Sequence, residues 1–355
     1  MLKLELPFVK IDFLKALTDD TGILQHSKFS IPNRREGYTT DDNARALIVA
    51  TKWYLASKDP EMQKLVDLYL SFLLYMQRND GRLHNFLGYD RKFIDHVGSE
   101  ECMGHTLWAC GTCVNSSLNL NQTLLAREIF DKTFGWAFRF KSLRAKAFSI
   151  LGLQQYFEAH PEDKNPVLNV KALADYLIDW YDIASSGEWK WFEPFVTYAN
   201  ARLPQALFAA YAMTGNQKYY QVAVDSLEFL LKVQLVENKF VPVGNKGWCL
   251  RGEERAFYDQ QPIEASCTVD ALSEAFRITG DERYRKLAQT VFEWFLGNNS
   301  KNLTVYDSET GGCCDGITLQ GLNLNQGAES TVSYLLSRLK MEDFKNISQK
   351  VSIAT

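Results

Sequence analysis

The sequence predicts an all-α fold, an (α/α)6 toroid (a six-hairpin barrel) whose inner helices begin around one central cleft. Three observations predict it. Six segments share one style, a polar cluster followed by small and apolar residues at helical spacing. Five amphipathic segments alternate with them, and the links between the two kinds are unequal in length.

The first kind begins near TTDDNARALIVATKWYLA, EECMGHTLWACGTCVNSSL, LRAKAFSILGLQQYFEA, NARLPQALFAAYAMTG, QPIEASCTVDALSEAFRITG and NQGAESTVSYLLSRL. Their starts recur every 40 to 65 residues or roughly so, the order expected of a helix-hairpin repeat. The second kind is MQKLVDLYLSFLLYMQ, TLLAREIFDKTFGWAFRF, VKALADYLIDWYDIA, KYYQVAVDSLEFLLKVQ and ERYRKLAQTVFEWFL. Apolar residues there fall at i, i+3, i+4 and i+7 with charges elsewhere, the pattern of a helix with one wet face. Small-residue helices therefore line the inside of the ring and amphipathic helices the outside. Either PFVKIDFLKAL or MEDFKNISQK supplies the sixth outer helix.

Links from inner to outer helix are mostly short turns: ASKDPE, TGNQK and TGDER. Most of the return links are long, spanning 79–99, 185–199, 237–260 and 298–324. Long loops in a compact domain are usually functional. Here most gather on the face where inner helices start, which also carries free backbone N–H groups and positive dipole ends.

With 355 residues, 46% hydrophobic and 23% charged, the composition is globular, and no linker-like stretch divides it. Residues 1–355 are expected to form one domain. Net charge is −4 and the basic residues are scattered, which argues against nucleic acid or an anionic membrane as partner. The start does not read as a signal peptide and no apolar run is long enough to span a bilayer. Seven cysteines, an odd number, then fit reduced thiols, and a cytoplasmic location is expected. Cys110 and Cys113 form a CxxC inside a helix-like run, and Cys249 with Cys313 or Cys314 lacks an obvious fourth ligand. No metal and no cofactor is expected. There is no GxSxG, P-loop or dinucleotide fingerprint.

Candidate site residues lie at the inner helix starts. Hairpin one opens Tyr38-Thr39-Thr40-Asp41-Asp42-Asn43-Ala44-Arg45. One acidic residue there is most simply an N-cap, but a second adjacent carboxylate needs another reason. Two carboxylates pointing into a cavity raise one pKa, which is how one site holds an acid and a base. Hairpin two offers Glu101 and His105, with Ser99 as cap, and hairpin three Arg144. Hairpin four is preceded by Trp189, Trp191 and Glu193, then Asn200 and Arg202; aromatic rings can cover the apolar face of a pyranose or simply anchor the loop. Hairpin five has Tyr258, Gln260, Gln261 and, one turn inside the Pro262 start, Glu264. Hairpin six has Asp315 in a glycine-rich loop, then Asn325, Gln326 and Glu329.

The pattern as a whole resembles the six-hairpin toroid superfamily, which holds many glycoside hydrolases, unsaturated-glucuronyl hydrolases and sugar epimerases. EGYTTDDNARAL, WKWFEPFVTYANARLPQAL, YDQQPIEAS and NLNQGAES resemble the signature of a bacterial group found near, or fused to, glycosyltransferases. Asp41-Asp42 is similar to the adjacent aspartates at the active site of endo-mannanase-type members. The resemblance implies an oligosaccharide or glycoside substrate and a glycosyltransferase as partner.

Glycoside hydrolysis by two carboxylates is the leading expectation. Asp41 or Asp42 would pair with Glu264 across the ring, with Glu329, Asp315 and Glu101 in reserve. Trp189, Trp191, Trp248 and Tyr258 would hold sugar rings. Tyr38, Asn43, Arg45, His105, Arg144, Glu193, Asn200, Arg202, Gln260, Gln261, Asn325 and Gln326 complete the expected binding surface. Epimerases of this architecture use histidines from late inner helices, and the second half of this chain has none. A lyase would use Tyr258 as base and Arg202 or Arg251 against a uronate. A glycan-binding scaffold for a glycosyltransferase is the non-enzymatic alternative.

Overall fold

The computed structural model describes residues 6–163 and 165–354. Twelve helices occur among them: α1 (Asp12–Leu17), α2 (Thr40–Ser57), α3 (Pro60–Met76), α4 (Glu100–Val114), α5 (Leu120–Phe134), α6 (Leu143–Ala159), α7 (Asn165–Ala184), α8 (Arg202–Thr214), α9 (Gln217–Gln234), α10 (Pro262–Thr279), α11 (Glu282–Phe292) and α12 (Ala328–Ala354). The even-numbered helices close a ring. Each packs on the next, α2 on α4, α4 on α6, α6 on α8, α8 on α10, α10 on α12 and α12 on α2. The odd-numbered helices α3, α5, α7, α9 and α11 pair with the inner helices they follow. This is the (α/α)6 toroid. The sixth outer position belongs to α1, from the PFVKIDFLKAL stretch, which packs on α12. MEDFKNISQK instead prolongs α12.

Sequence explains the two helix kinds. Residues 42–51 of α2 and 102–114 of α4 are buried without interruption, so small side chains are needed for helices to approach on both flanks. Between α4 and α6 the approach is closest. A Cβ on Gly111 would overlap the Gly152 carbonyl, and one on Gly104 would lie 2.8 Å from the Ala145 carbonyl. Outer helices bury only a stripe, as in α3 with Met62, Val66, Tyr69, Leu70, Leu73 and Met76.

Short inner-to-outer turns use one device. Lys58, Gly215 and Gly280 end α2, α8 and α10 in the left-handed conformation. The next residue, Asp59, Asn216 or Asp281, caps the following outer helix with its side chain. The long return links pair with one another over the inner helix starts. Tyr38–Thr39 pairs antiparallel with Phe86–Leu87, and Phe195–Val196 with Cys249–Leu250. Gly316–Thr318 forms a hairpin with Gly321–Asn323, and Ile317 bridges to Gln260. All seven cysteines are buried free thiols. No helix among the described residues is long and apolar enough to cross a membrane.

Candidate active site

A cavity of about 410 Å3 opens on the face where inner helices begin, at the starts of α2, α10 and α12. Five carboxylates line it, from Asp41, Asp42, Asp259, Asp315 and Glu329, with Arg45 and His26 as the basic residues. These come from hairpins one, five and six, the fifth contributing Asp259 and not the expected Glu264.

The two aspartates of α2 are held differently. Thr39 is the N-cap, its hydroxyl accepting from the Asp42 amide at 3.2 Å. The same hydroxyl donates to Asp42 Oδ2 at 2.7 Å, while Arg45 donates to Oδ1 at 2.8 Å. Both Asp42 oxygens are therefore committed, and this residue is the structural member of the pair. Asp41 receives one bond, from Asn85 Nδ2 to Oδ2 at 2.9 Å. Its Oδ1 is buried and has no partner among the described residues. Burial pushes the Asp41 carboxyl up to about 7; the Arg45 charge opposes this, and the Asp42 charge adds to it.

Arg45 reaches across the ring. Besides Asp42, it donates to Glu329 Oε2 at 3.0 Å, joining α2 to α12. Only one Glu329 oxygen is used in this way, and its side chain stays 43% exposed on the cavity. Asp315 Oδ1 accepts from the Gly327 amide at 2.7 Å and from Ser330 Oγ at 2.8 Å, tying the preceding loop to the start of α12. Burial raises its pKa. Asp259 Oδ1 is, like Asp41 Oδ1, buried without a partner among the described residues, and its Oδ2 lies 3.4 Å from Lys246.

Of the expected site residues, Asp41, Asp42, Arg45, Gln261, Asp315 and Glu329 line this cavity. Glu264 does not. It is 1% exposed and accepts from the Ala199 amide and, at 2.7 Å, from Asn200 Nδ2. Pro262 does place Glu264 in the first turn of α10, but the 195–201 loop folds over it. Its role is to hold that loop, in which Ala199 adopts a positive φ of 47°. Burial pushes the Glu264 carboxyl up to about 7.

A smaller recess of about 330 Å3 on the same face collects Glu101, Arg144 and Glu193 with Tyr198. Arg144 pairs with Glu193 at 3.0 Å, and Glu101 accepts from Tyr198 Oη at 2.8 Å and Ser142 Oγ at 2.9 Å.

The remaining expected residues support the walls instead of facing the cavity. Tyr38 donates to Asp19 at 2.7 Å, and Asn43 clamps Ile23 through its amide at 2.9 Å. Asn200 bridges Thr197 and Glu264. Gln260 accepts from Trp294, Asn325 accepts from the Phe29 amide, and Gln326 donates to Asp307. His105 lies against Phe148, ring centroids 3.8 Å apart and planes tilted by 33°. Burial, with Arg45 and Arg202 nearby, holds its pKa well below the usual histidine value, so it is neutral.

Trp191 is fully buried, Trp189 donates to the Glu193 carbonyl, Trp248 packs near Tyr198, and Lys301 sits over Tyr258. None of the four lines the cavity; Phe86 is its aromatic residue. Trp191 is closed off in the core, and the other three rings pack partly buried against it in the long loops. The arginines of the lyase alternative are also engaged elsewhere. Arg202 pairs with Asp270 at 2.7 Å, and Arg251 binds the Ala184 carbonyl at 3.1 Å.

Sequence reasoning missed His26, Asn85 and Asp259. His26 and Asn85 lie in loops with no periodic signal, and reach the cavity because 18–39 and 77–99 pair through Tyr38 and Leu87. Asp259 stood next to the selected Tyr258 and Gln260, so its position was within reach.

No protein-family model matches the chain, and no curated protein sequence matches it. Solved structures do. A sugar epimerase from a ruminal bacterium superposes with TM-score 0.73 at 12% identity, over 95% of this chain and 97% of that one. Cellobiose 2-epimerase from Bacillus thermoamylovorans gives 0.72 at 13%, over 94% and 95%. The GH76 alpha-mannanase of Bacteroides thetaiotaomicron gives 0.68 at 10%, over 95% of each chain. At these identities the likeness establishes the fold, the toroid shared by six-hairpin enzymes, and leaves function to the site.

Proposed function

We propose that the chain is a carbohydrate-active enzyme, a glycoside hydrolase that cleaves an oligosaccharide in the carboxylate cavity. Asp41 is the general acid in this reading and Glu329 its carboxylate counterpart. The observation that carries it is the state of Asp41. With a pKa pushed up to about 7, its carboxyl is about half protonated at neutrality, and Oδ1 has no partner among the described residues. A glycosidic oxygen brought against this carboxyl from the cavity receives the proton as its bond to the anomeric carbon breaks. Glu329, ion-paired to Arg45 through one oxygen, has the other available to take a proton from water or to attack the anomeric carbon. Asp42 fixes Arg45, and Arg45 fixes Glu329. Structural neighbours that include a mannanase support the substrate class.

Leaving-group dependence tests the acid. Asp41→Asn should lower hydrolysis of an unactivated manno- or gluco-oligosaccharide by about 100-fold or more. It should leave 2,4-dinitrophenyl glycosides, whose leaving group needs no proton, within roughly tenfold of the parent. Equal losses on both would remove Asp41 from that role.

Sugar 2-epimerisation is the second reading, favoured by His26 in the cavity and by the epimerases among the neighbours. It requires a base to remove the C2 proton, so it predicts deuterium at C2 after turnover in D2O. Hydrolysis predicts none.

A further inference from the structure

The ring has a second opening. At the end opposite the carboxylate cavity lies a larger one of about 540 Å3, and all six inner helices contribute to its wall. Nothing in the proposed hydrolysis uses it.

Its chemistry is mixed. Charged side chains there are mostly committed to each other: Arg202 to Asp270 at 2.7 Å, Arg277 to Glu274 at 2.5 Å and Lys340 to Asp343 at 3.3 Å. Three groups on the lining keep hydrogen-bonding capacity unused among the described residues. Lys52 Nζ makes no hydrogen bond or ion pair. Gln154, 7% exposed, donates to Glu274 at 3.1 Å but accepts nothing at Oε1. Asp270, 5% exposed, uses only Oδ2. Two indoles complete the wall, Trp53 and Trp108, and the guanidinium of Arg202 sits 4.5 Å from the ring centre of Trp108.

One spare donor, two spare acceptors and aromatic planes are the complement of a ring with adjacent hydroxyls and an apolar face. The ligand is uncharged by the same account. With Arg202 and Arg338, which pair from behind with Asp270 and Glu342, five cations balance the five carboxylates of the wall, and the carbonyl ends of the inner helices oppose an added anion. We propose that this end of the toroid is a second binding site, for a neutral pyranose held by Lys52, Gln154 and Asp270. The proposal does not depend on the reaction in the first cavity.

Hydrogen exchange read by mass spectrometry tests it on the whole chain, with D-glucose and with D-mannose titrated to saturation. Binding at this site slows exchange in peptides covering 52–56 and 112–116, whereas occupancy of the first cavity slows 39–45 and 326–330. Lys52→Met should weaken the 52–56 response about tenfold and leave the 39–45 response unchanged. Protection confined to the first cavity overturns the proposal, as does no protection with either hexose. So does a 52–56 response equally strong in Lys52→Met. The parent's exchange map decides even if the variant does not fold.

Discussion

Asp41→Asn isolates the central electrostatic feature, because asparagine keeps the shape and the charge disappears. In the parent, the folded-state carboxyl titrates at about 7 against an ordinary 3.8. The ionised form is thus disfavoured by folding, and the penalty grows as pH rises from about 4 and levels off above 7. Fully expressed, such a displacement is worth about 4 kcal/mol. The open side of the cavity screens part of it, so a gain of about 2 kcal/mol or more is expected for the variant at pH 8. The new side chain loses no bond. Its oxygen can accept from Asn85 as Asp41 Oδ2 does at 2.9 Å, and its amide falls where Oδ1 has no partner among the described residues. Urea unfolding of parent and variant at pH 4, 6 and 8 measures the difference directly, and 2 kcal/mol corresponds to a Tm rise of roughly 2–3 °C for a chain this long. The variant should match the parent at pH 4 and exceed it increasingly at pH 6 and 8. A variant no more stable at pH 8, or a difference independent of pH, would show Asp41 ionised in the fold and unable to serve as the acid.

Other perturbations follow from the same contacts. Arg45→Met leaves Asp42 buried without its cation and should cost about 3–5 kcal/mol in urea unfolding. Glu264→Ala strands the Ala199 amide in the interior and leaves Asn200 Nδ2 with only its bond to the Thr197 carbonyl, a loss of about 3 kcal/mol. Exchange should quicken in the 195–201 loop while the carboxylate cavity keeps its protection. Gly111→Ala forces a methyl into the Gly152 carbonyl where α4 meets α6, and should lower stability by about 1–3 kcal/mol with a visible fall in Tm.

The ring was legible because its periodicities are strong and local. Small residues on both flanks of an inner helix, a stripe on an outer one and Asp59, Asn216 or Asp281 just past a left-handed residue all follow from short-range rules. Asp41, Asp42, Arg45 and Glu329 stand on inner helix starts, so the repeat alone brings them to one face. Direction was harder. Glu264 occupies the first turn of α10 just as Asp41 and Asp42 occupy that of α2, yet the loop covering it turns it into a buried clamp. Trp191 shows the same gap, since an indole suits a sugar or a core equally well, and only the packing of 185–201 decides. His26 and Asp259 arrive from loops whose pairing is long-range, and no periodic pattern marks them.

The most direct measurement is a proton NMR spectrum of manno- and gluco-oligosaccharides incubated with the chain in D2O. The account predicts new reducing-end anomeric signals without deuterium at C2, and their appearance about 100-fold slower or absent with Asp41→Asn. Intact linkages, or deuterium incorporated at C2, would contradict it.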